Sequence, residues 1–259
     1  MARSLKTLLS IAASDCSGGA GVQADIRAGL SLGLHVLTAV TGVTAQNSKS
    51  FKAMETMSPF MLESQLASII EDAMPDAIKI GMIGSTRNLE IIAEFLKSLP
   101  ERIPVVVDPV LKSTVASGAL PEDEIETLSL LKGYKEKLFP LATVITPNLI
   151  EFKSFDDMST SCKAYVLKGG HSDDDIITDT LYMEGNEFTY THARMDCRNL
   201  HGTGCTFSSL LAGFLALGEP IEVAFQKTCA KMEEIISKSC DYSLGNSIYG
   251  PLNVNNYLL

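Results

Sequence analysis

The sequence predicts an α/β domain of three layers, helix–sheet–helix, with a mostly parallel central sheet. Three observations carry this. Short apolar runs alternate with segments of helical period along most of the chain. Runs such as "VVV" and "TVIT" are apolar without alternation, as strands covered on both faces must be. Glycine-rich or polar stretches follow nearly every such run, where a parallel sheet places its loops.

The elements follow in order. "TLLSIAAS" reads as the first strand, "GAGVQADIRAGLSLGL" as a helix ended by glycine, and β-branched "HVLTAVTGVT" as a second strand. Ser58 and Pro59 supply an N-cap and a first helical residue for "FMLESQLASIIEDAM", whose Leu62, Leu66, Ile69 and Ile70 share one face. Strand "AIKIG", helix "TRNLEIIAEFLKSL", strand "PVVVD" and a helix within "EDEIETLSLLKGYKEKL" come next. Strand "ATVIT" and, after an irregular stretch, "AYVLK" complete the parallel series. "TLYMEGNEFTYTHAR" breaks the rhythm with two extended runs around Gly185 and Asn186, which suggests a small hairpin at one sheet edge. Two helices close the chain, "CTFSSLLAGFLALG" and "PIEVAFQKTCAKMEEIISK". No linker, repeat or low-complexity stretch divides it, so residues 1–259 read as one domain.

Composition narrows the function. With 21 basic against 31 acidic residues the net charge is −10, which gives no basic stripe for a nucleic acid. A pocket of amides with one lysine still suffices for a phosphate ligand. The six cysteines, Cys16, Cys162, Cys197, Cys205, Cys229 and Cys240, form no CxxC pair, which points to a reduced chain. The opening residues are basic and then apolar, but "LLSIAA" is short and runs into Asp15 and a glycine turn, so it reads as strand rather than signal peptide. No stretch approaches the ~20 apolar residues of a membrane helix, and a cytoplasmic location is expected.

The strand ends gather the polar chemistry. "SDCSGGAG" follows the first strand, "TAQN" the second, "GMIG" follows "AIKI", Asp108 ends "VVVD", "TPNLIE" follows "TVI", and "KGGH" follows "YVL". These are ingredients of phosphoryl transfer without a GxxxxGK[ST] loop. "HGTG" before a helix offers amides, Lys168 a cation, and Asp108 with Asn148 and Glu151 a metal environment; Mg²⁺ keeps most of its waters, so sparse ligands suffice.

"SDCSGGAGVQAD", "TAQN", "KIGMIG", "VVVDPV", "TPNLIE", "LKGGH" and "HGTGCT", in that order, resemble the hydroxymethylpyrimidine/phosphomethylpyrimidine kinases of the ribokinase-like superfamily, from about residue 7 to about residue 240. The resemblance implies phosphorylation of a hydroxymethyl group, dependent on ATP and Mg²⁺, in thiamine biosynthesis. Family members also convert the monophosphate to the diphosphate. It implies that Cys205 lies beside the attacking hydroxyl, where most superfamily relatives have Asp, and that Gly202, Thr203 and Gly204 form the anion hole. Asn148 and Glu151 would organise Mg²⁺ and phosphate, with Lys168 and Asp108 on the nucleotide side; Asp108 and Glu151 are the metal candidates. Gln46 would bind the substrate, and Asp25, Gly19, Met82 and Val110 would line the pyrimidine pocket.

Ala13 stands where the family commonly has Gly. The stretch from Phe152 to Tyr165 is too short for the usual helix there, which threatens an exposed sheet edge or an altered oligomer. The flap sequence "VLKSTVASGAL" also differs, so its contacts do not transfer. The expected partners are ATP and a small heteroaromatic alcohol, with no nucleic acid and no membrane, in a homodimer.

Plainer readings stand beside these. Cys197, His201 and Cys205 form C-x3-H-x3-C, but Gly202 and Gly204 argue against one continuous helical face, and no fourth metal ligand is evident. Cys205 as packing, Met82 as core filler and Gln46 as a loop cap are the bland alternatives; His171 is assigned a structural role, and the other cysteines small apolar ones. A helix starting near Gly204 favours a thiolate at Cys205. The rival activity is that of a pyridoxal kinase. An inactive pyrimidine-binding or regulatory protein is the rival from another class.

Overall fold

The computed structural model describes residues 5–47, 49–100, 102–111, 124–155, 161–171, 175–244 and 250–255. Among them nine strands form one sheet in the order β3-β2-β1-β4-β5-β6-β7-β8-β9. The strands are β1 (Thr7–Asp15), β2 (His35–Gln46), β3 (Phe51–Thr56), β4 (Ala77–Ile80), β5 (Val105–Val107), β6 (Val144–Ile145), β7 (Ala164–Leu167), β8 (Ile176–Met183) and β9 (Asn186–Ala193). The helices are α1 (Gly21–Ser31), α2 (Pro59–Asp72), α3 (Thr86–Ser98), α4 (Glu124–Gly133), α5 (Leu149–Ser154), α6 (Thr203–Ala216) and α7 (Ile221–Ser237). Pairing is parallel from β2 through β1, β4, β5 and β6 to β7. It is antiparallel at β2–β3, β7–β8 and β8–β9.

The unbroken apolar runs have the cause the sequence suggested. Successive side chains of a strand face opposite sides. Leu8 and Val106 point into one core, with Phe207, Leu211 and Phe225 of α6 and α7. Their neighbours Leu9, Val105 and Val107 point into a second, with Leu62, Leu66, Leu89 and Ile92 of α2 and α3. Both faces are covered, so these runs are apolar on both sides. Ser58 caps α2 as expected, its side chain accepting from Met61 N–H, and Pro59 opens the helix. Only Leu62 and Leu66 of the four expected face residues are fully buried; Ile69 and Ile70 lie at the margin of α2's contact.

Two departures stand out. Strand β3 was not expected: its charged, half-exposed sequence carries no apolar run, and β2 recruits it as an antiparallel edge. Among the described residues the shortened stretch after Glu151 leaves no open edge, because β6 pairs with β5 on one side and β7 on the other. There Phe155 enters the second core and the Phe152 ring meets Tyr165, 5.4 Å between centroids. The flap reading falls largely on residues 112–123, outside the described residues.

Strand order reverses at β1, since β2 lies on one side of it and β4 on the other. Such a reversal opens a crevice at the carboxyl ends of the strands, the ligand position of open α/β sheets. The polar stretches all lead off that end.

Candidate active site

The loop after β1 is organised by one carboxylate. Asp15 is 1% exposed; its Oδ1 accepts from Ser17 N–H, and its Oδ2 from the N–H groups of Gly19 (3.0 Å) and Ala20 (2.8 Å). His201 Nε2, contributed from 186 residues further along, lies 3.0 Å from the same Oδ2. The imidazole ring fills the place a side chain at Gly19 would occupy, and Gly202, at φ +87°, packs against the Gly19 carbonyl. Only glycine adopts that φ without strain at such close approach. "GGAG" and "HGTG" are therefore one interlocked unit. Burial pushes the Asp15 carboxyl up, but the bonds from His201, Ala20 and Ser17 outweigh it and hold it at about 2. At neutral pH Asp15 is a carboxylate with nearly all its acceptor capacity used.

Beneath this unit lies a buried charge pair. Lys79 Nζ contacts Asp25 Oδ1 at 2.8 Å and Oδ2 at 2.9 Å, and both side chains are 0% exposed. Ser10 Oγ and Ser209 Oγ also donate to Asp25. Burial lowers the Lys79 pKa, yet the carboxylate beside it raises it further, so Lys79 stays charged. Strands β1 and β4 and helices α1 and α6 are thereby joined below the crevice. Asp25 was expected to line the ring pocket; it sits under the floor instead, since both its oxygens are consumed by Lys79 and the two serines.

Helix α6 begins at Thr203, with left-handed Gly202 as its cap. Its leading N–H groups have no partners within the helix and point out of its N-terminus into the crevice. Cys205 lies in this first turn, half-buried. Its thiol is pushed up to about 11, chiefly by burial and further by Asp25 and Asp108, while Lys79 and the Gly21 N–H pull it down less. The thiolate expected from the helix end is thus corrected: burial pushes this group toward the thiol.

The other half of the rim is built around Asp108 at the end of β5. Its Oδ1 lies 3.4 Å from Lys168 Nζ and 3.4 Å from Thr146 Oγ1, and its Oδ2 3.4 Å from Ser208 Oγ. All three contacts are long for hydrogen bonds. A side chain added at Gly204 would stand 3.5 Å from Lys168 Nζ and 3.6 Å from Asp108 Oδ2, so the helix end faces this pair directly. Asn148 and Glu151 form a reciprocal capping box: Asn148 Oδ1 accepts from Ile150 and Glu151 N–H, and Glu151 accepts from Asn148 N–H. That box fixes Glu151 against Lys168 and Asp108. Burial raises the Glu151 pKa to about 7; Lys168 opposes this and Asp108 reinforces it. Lys168 in turn is raised, because Asp108 and Glu151 outweigh its own burial.

The oxygen donors here fit a hard divalent cation. Two buried carboxylates share one lysine, and the repulsion between them is the kind a cation relieves. No group of three or more His, Cys, Asp or Glu side chains gathers for a metal among the described residues. Mg²⁺ takes one or two carboxylates and completes its shell with water and phosphate oxygens, so Asp108 and Glu151 are donors of the kind it uses. The C-x3-H-x3-C reading as a metal site is removed, His201 being committed to Asp15 and Cys197 directed to Ile236 O.

The remaining expected residues lie at the same end of the sheet. Gln46 ends β2; its amide donates to Thr44 Oγ1, and its backbone meets the Cys16 thiol of the β1 loop. Met82 follows β4, its carbonyl held by Thr41 Oγ1, and half-exposed Val110 follows Asp108. Sequence reasoning missed Asp15, His201 and Lys79. The first two stand inside the quoted motifs and Lys79 inside "KIGMIG", but their partners lie far away along the chain.

An open α/β domain with a helix N-terminus, a lysine and two carboxylates around one crevice defines a phosphotransferase-type site. Comparison with known proteins makes this specific. A profile of the phosphomethylpyrimidine kinase family matches residues 15–253, and the chain belongs to that family. A hydroxymethylpyrimidine/phosphomethylpyrimidine kinase of Staphylococcus aureus is 33% identical over 98% of this chain and 95% of its own. A probable thiamine biosynthetic bifunctional enzyme of Oryza sativa subsp. japonica is 33% identical over 95% of this chain, which spans only 47% of that protein. Among solved structures, the Staphylococcus aureus pyridoxal kinase in complex with AMP-PCP superposes with a TM-score of 0.86 at 26% identity, covering 99% of this chain and 96% of the other. The ribokinase-like fold and the kinase class expected from the sequence are both borne out.

Proposed function

We propose that this protein transfers the γ-phosphoryl group of ATP to the hydroxymethyl oxygen of 4-amino-5-hydroxymethyl-2-methylpyrimidine, and then phosphorylates the monophosphate, in thiamine biosynthesis. The observation that carries this reading is the convergence of Asp108, Lys168 and Glu151 on the N-terminus of α6, one residue from Cys205. The hydroxymethyl oxygen attacks the γ-phosphorus in line, an O–P bond forms, the bond to the ADP oxygen breaks, and the hydroxyl proton leaves late. Leading amides of α6 and Lys168 stabilise charge on the transferring group, the largest catalytic term in such sites. Asp108 and Glu151 would hold Mg²⁺, which would supply positive charge to offset that of the phosphates.

Cys205 faces the hydroxyl. Its thiolate is the form that accepts the proton; with the thiol pushed up to about 11 that form is scarce at neutral pH. Proton acceptance there contributes toward the low end of general-base assistance, about 10²-fold. Gln46 presents a donor and an acceptor to the aminopyrimidine edge, and the Asp15–His201 unit sets the wall of the ring pocket.

A second reading, pyridoxal kinase, is favoured by the superposition on that enzyme. Both substrates carry a hydroxymethyl group on a nitrogen heteroaromatic ring. Coupled ADP release with each heterocycle, followed by chromatography of the products, separates the readings: the pyrimidine should give monophosphate and then diphosphate at higher kcat/KM than pyridoxal. Turnover with pyridoxal alone establishes the second reading, and turnover with neither removes both. A homodimer and a cytoplasmic location complete the proposal. No helix among the described residues is long and apolar enough to cross a membrane.

A further inference from the structure

Cys197 and Cys240 lie outside the site and have no part in the reaction above. Cys197 sits in the segment between β9 and α6, two residues before Asn199; Cys240 follows the end of α7. The two thiols converge on one acceptor. Cys197 Sγ lies 3.7 Å from the Ile236 carbonyl oxygen, and Cys240 Sγ lies 3.1 Å from the same atom. The Cys197 thiol also bears on the ionisation of Cys240. Cys197 is 9% exposed and Cys240 is half-buried, so one thiol is open to a small reagent and the other stands behind it.

The joint they occupy is closed by other bonds as well. Asn199 Nδ2 donates to Ser239 O and Tyr242 O, and Asn199 Oδ1 accepts from Gly250 N–H. The approach to the "HGTG" loop is thus already fastened to the segment after α7.

We propose that Cys197 and Cys240 are a disulfide-forming pair that clamps the approach to the anion-binding loop onto the end of α7, with a low-molecular-weight disulfide as oxidant. The Cys240 thiolate attacks one sulfur of the reagent and expels the first thiolate. Cys197 then attacks Cys240 Sγ and expels the second. Two protein thiols are oxidised, one reagent disulfide is reduced to two thiols, and the two protons pass to those thiols. Burial, the neighbouring Cys197 and the carboxylates of Asp241 and Asp196 push the Cys240 thiol up to about 12, so the exchange is slow at neutral pH and speeds as the solution becomes alkaline.

The test is incubation of the full chain with oxidised glutathione at pH 8.5, followed by peptide mapping without reductant and a thermal melt. The expected results are one peptide pair linked through Cys197 and Cys240 and a Tm raised by about 5 °C or more, reversed by dithiothreitol, because the link closes a long loop in the unfolded chain. Cys197→Ser and Cys240→Ser should each abolish the linked pair and leave Tm insensitive to the oxidant. Reaction that stops at a glutathione adduct on Cys240, links to other cysteines or links between chains would overturn the pairing. A Cys197–Cys240 link that leaves Tm unchanged or lowers it would overturn the clamp.

Discussion

The two halves of the crevice are built on opposite principles. On the side proposed for the heterocycle the two buried carboxylates have their partners within the protein: Asp15 is enclosed by amides, Ser17 and His201, and Asp25 by Lys79, Ser10 and Ser209. On the nucleotide side the contacts of Asp108 are 3.4 Å long, and Glu151 keeps a proton up to about pH 7. The first half is paired within the protein before any ligand arrives. The second has a charge imbalance that the proposed cation and phosphates would complete. The difference teaches where each half's sensitivity lies, in folding for the first and in catalysis and ionic conditions for the second.

The largest effect should come from breaking the buried pair. Lys79→Met strands Asp25 without a counter-charge and should cost about 3–5 kcal/mol of stability, read by urea unfolding. Lys168→Met, the matching change across the crevice, should cost distinctly less stability, because Glu151 can take up a proton. It should instead lower kcat/KM for ATP by about 10²–10³-fold. Equal stability losses for the two would erase the distinction between the halves.

Next in size is the thiol. Cys205→Ala should lower kcat by about 10²-fold with ATP binding nearly unchanged, and Cys205→Asp should retain more activity than Ala. Wild-type turnover in the Ala variant would return this side chain to packing.

These two regions also show what the sequence could and could not reveal. The parallel core was legible because each buried strand is short, apolar and followed by its loop chemistry; Asp108, Lys168 and the "HGTG" turn could be placed on one rim from that alone. The capping box of Asn148 and Glu151 is local and was within reach of spacing. By contrast, His201 meets Asp15 across 186 residues and Lys79 meets Asp25 across 54, and no periodicity encodes such pairings. Strand β3 was missed because its structure is imposed by β2 rather than by its own residues. The ionisation of Cys205 was misjudged because helix polarity is readable in sequence and desolvation is not.

Acidity gives a finer comparison. The Glu151 carboxyl stands at about 7 in the folded chain against 4.5 ordinarily, so its protonated form favours the fold. That contribution is complete below pH 4.5 and is lost as pH rises through about 7. Asp15 behaves oppositely: held at about 2 against 3.8, it stabilises above pH 3.8, and its contribution is lost as pH falls through about 2. In the proposed reaction the charged form of Glu151 would serve the metal, so kcat/KM for ATP should rise through an acidic limb near pH 7. Glu151→Gln should abolish that limb and raise the Mg²⁺ concentration for half-maximal rate; an unaltered limb would remove Glu151 from the metal's surroundings. The smallest expected effect is that of Gln46→Ala, which should weaken heterocycle binding by about 1–3 kcal/mol while ATP affinity holds.

The contrast between the halves is tested most directly by titration calorimetry of each substrate with and without a chelator. The hydroxymethylpyrimidine should bind the protein with the same Kd, within about two-fold, in excess EDTA and in excess Mg²⁺, because the Asp15 and Asp25 carboxylates are already paired within the protein. ATP should bind at least about ten-fold more weakly in EDTA. A heterocycle that needs Mg²⁺ to bind, or ATP indifferent to it, would contradict the account.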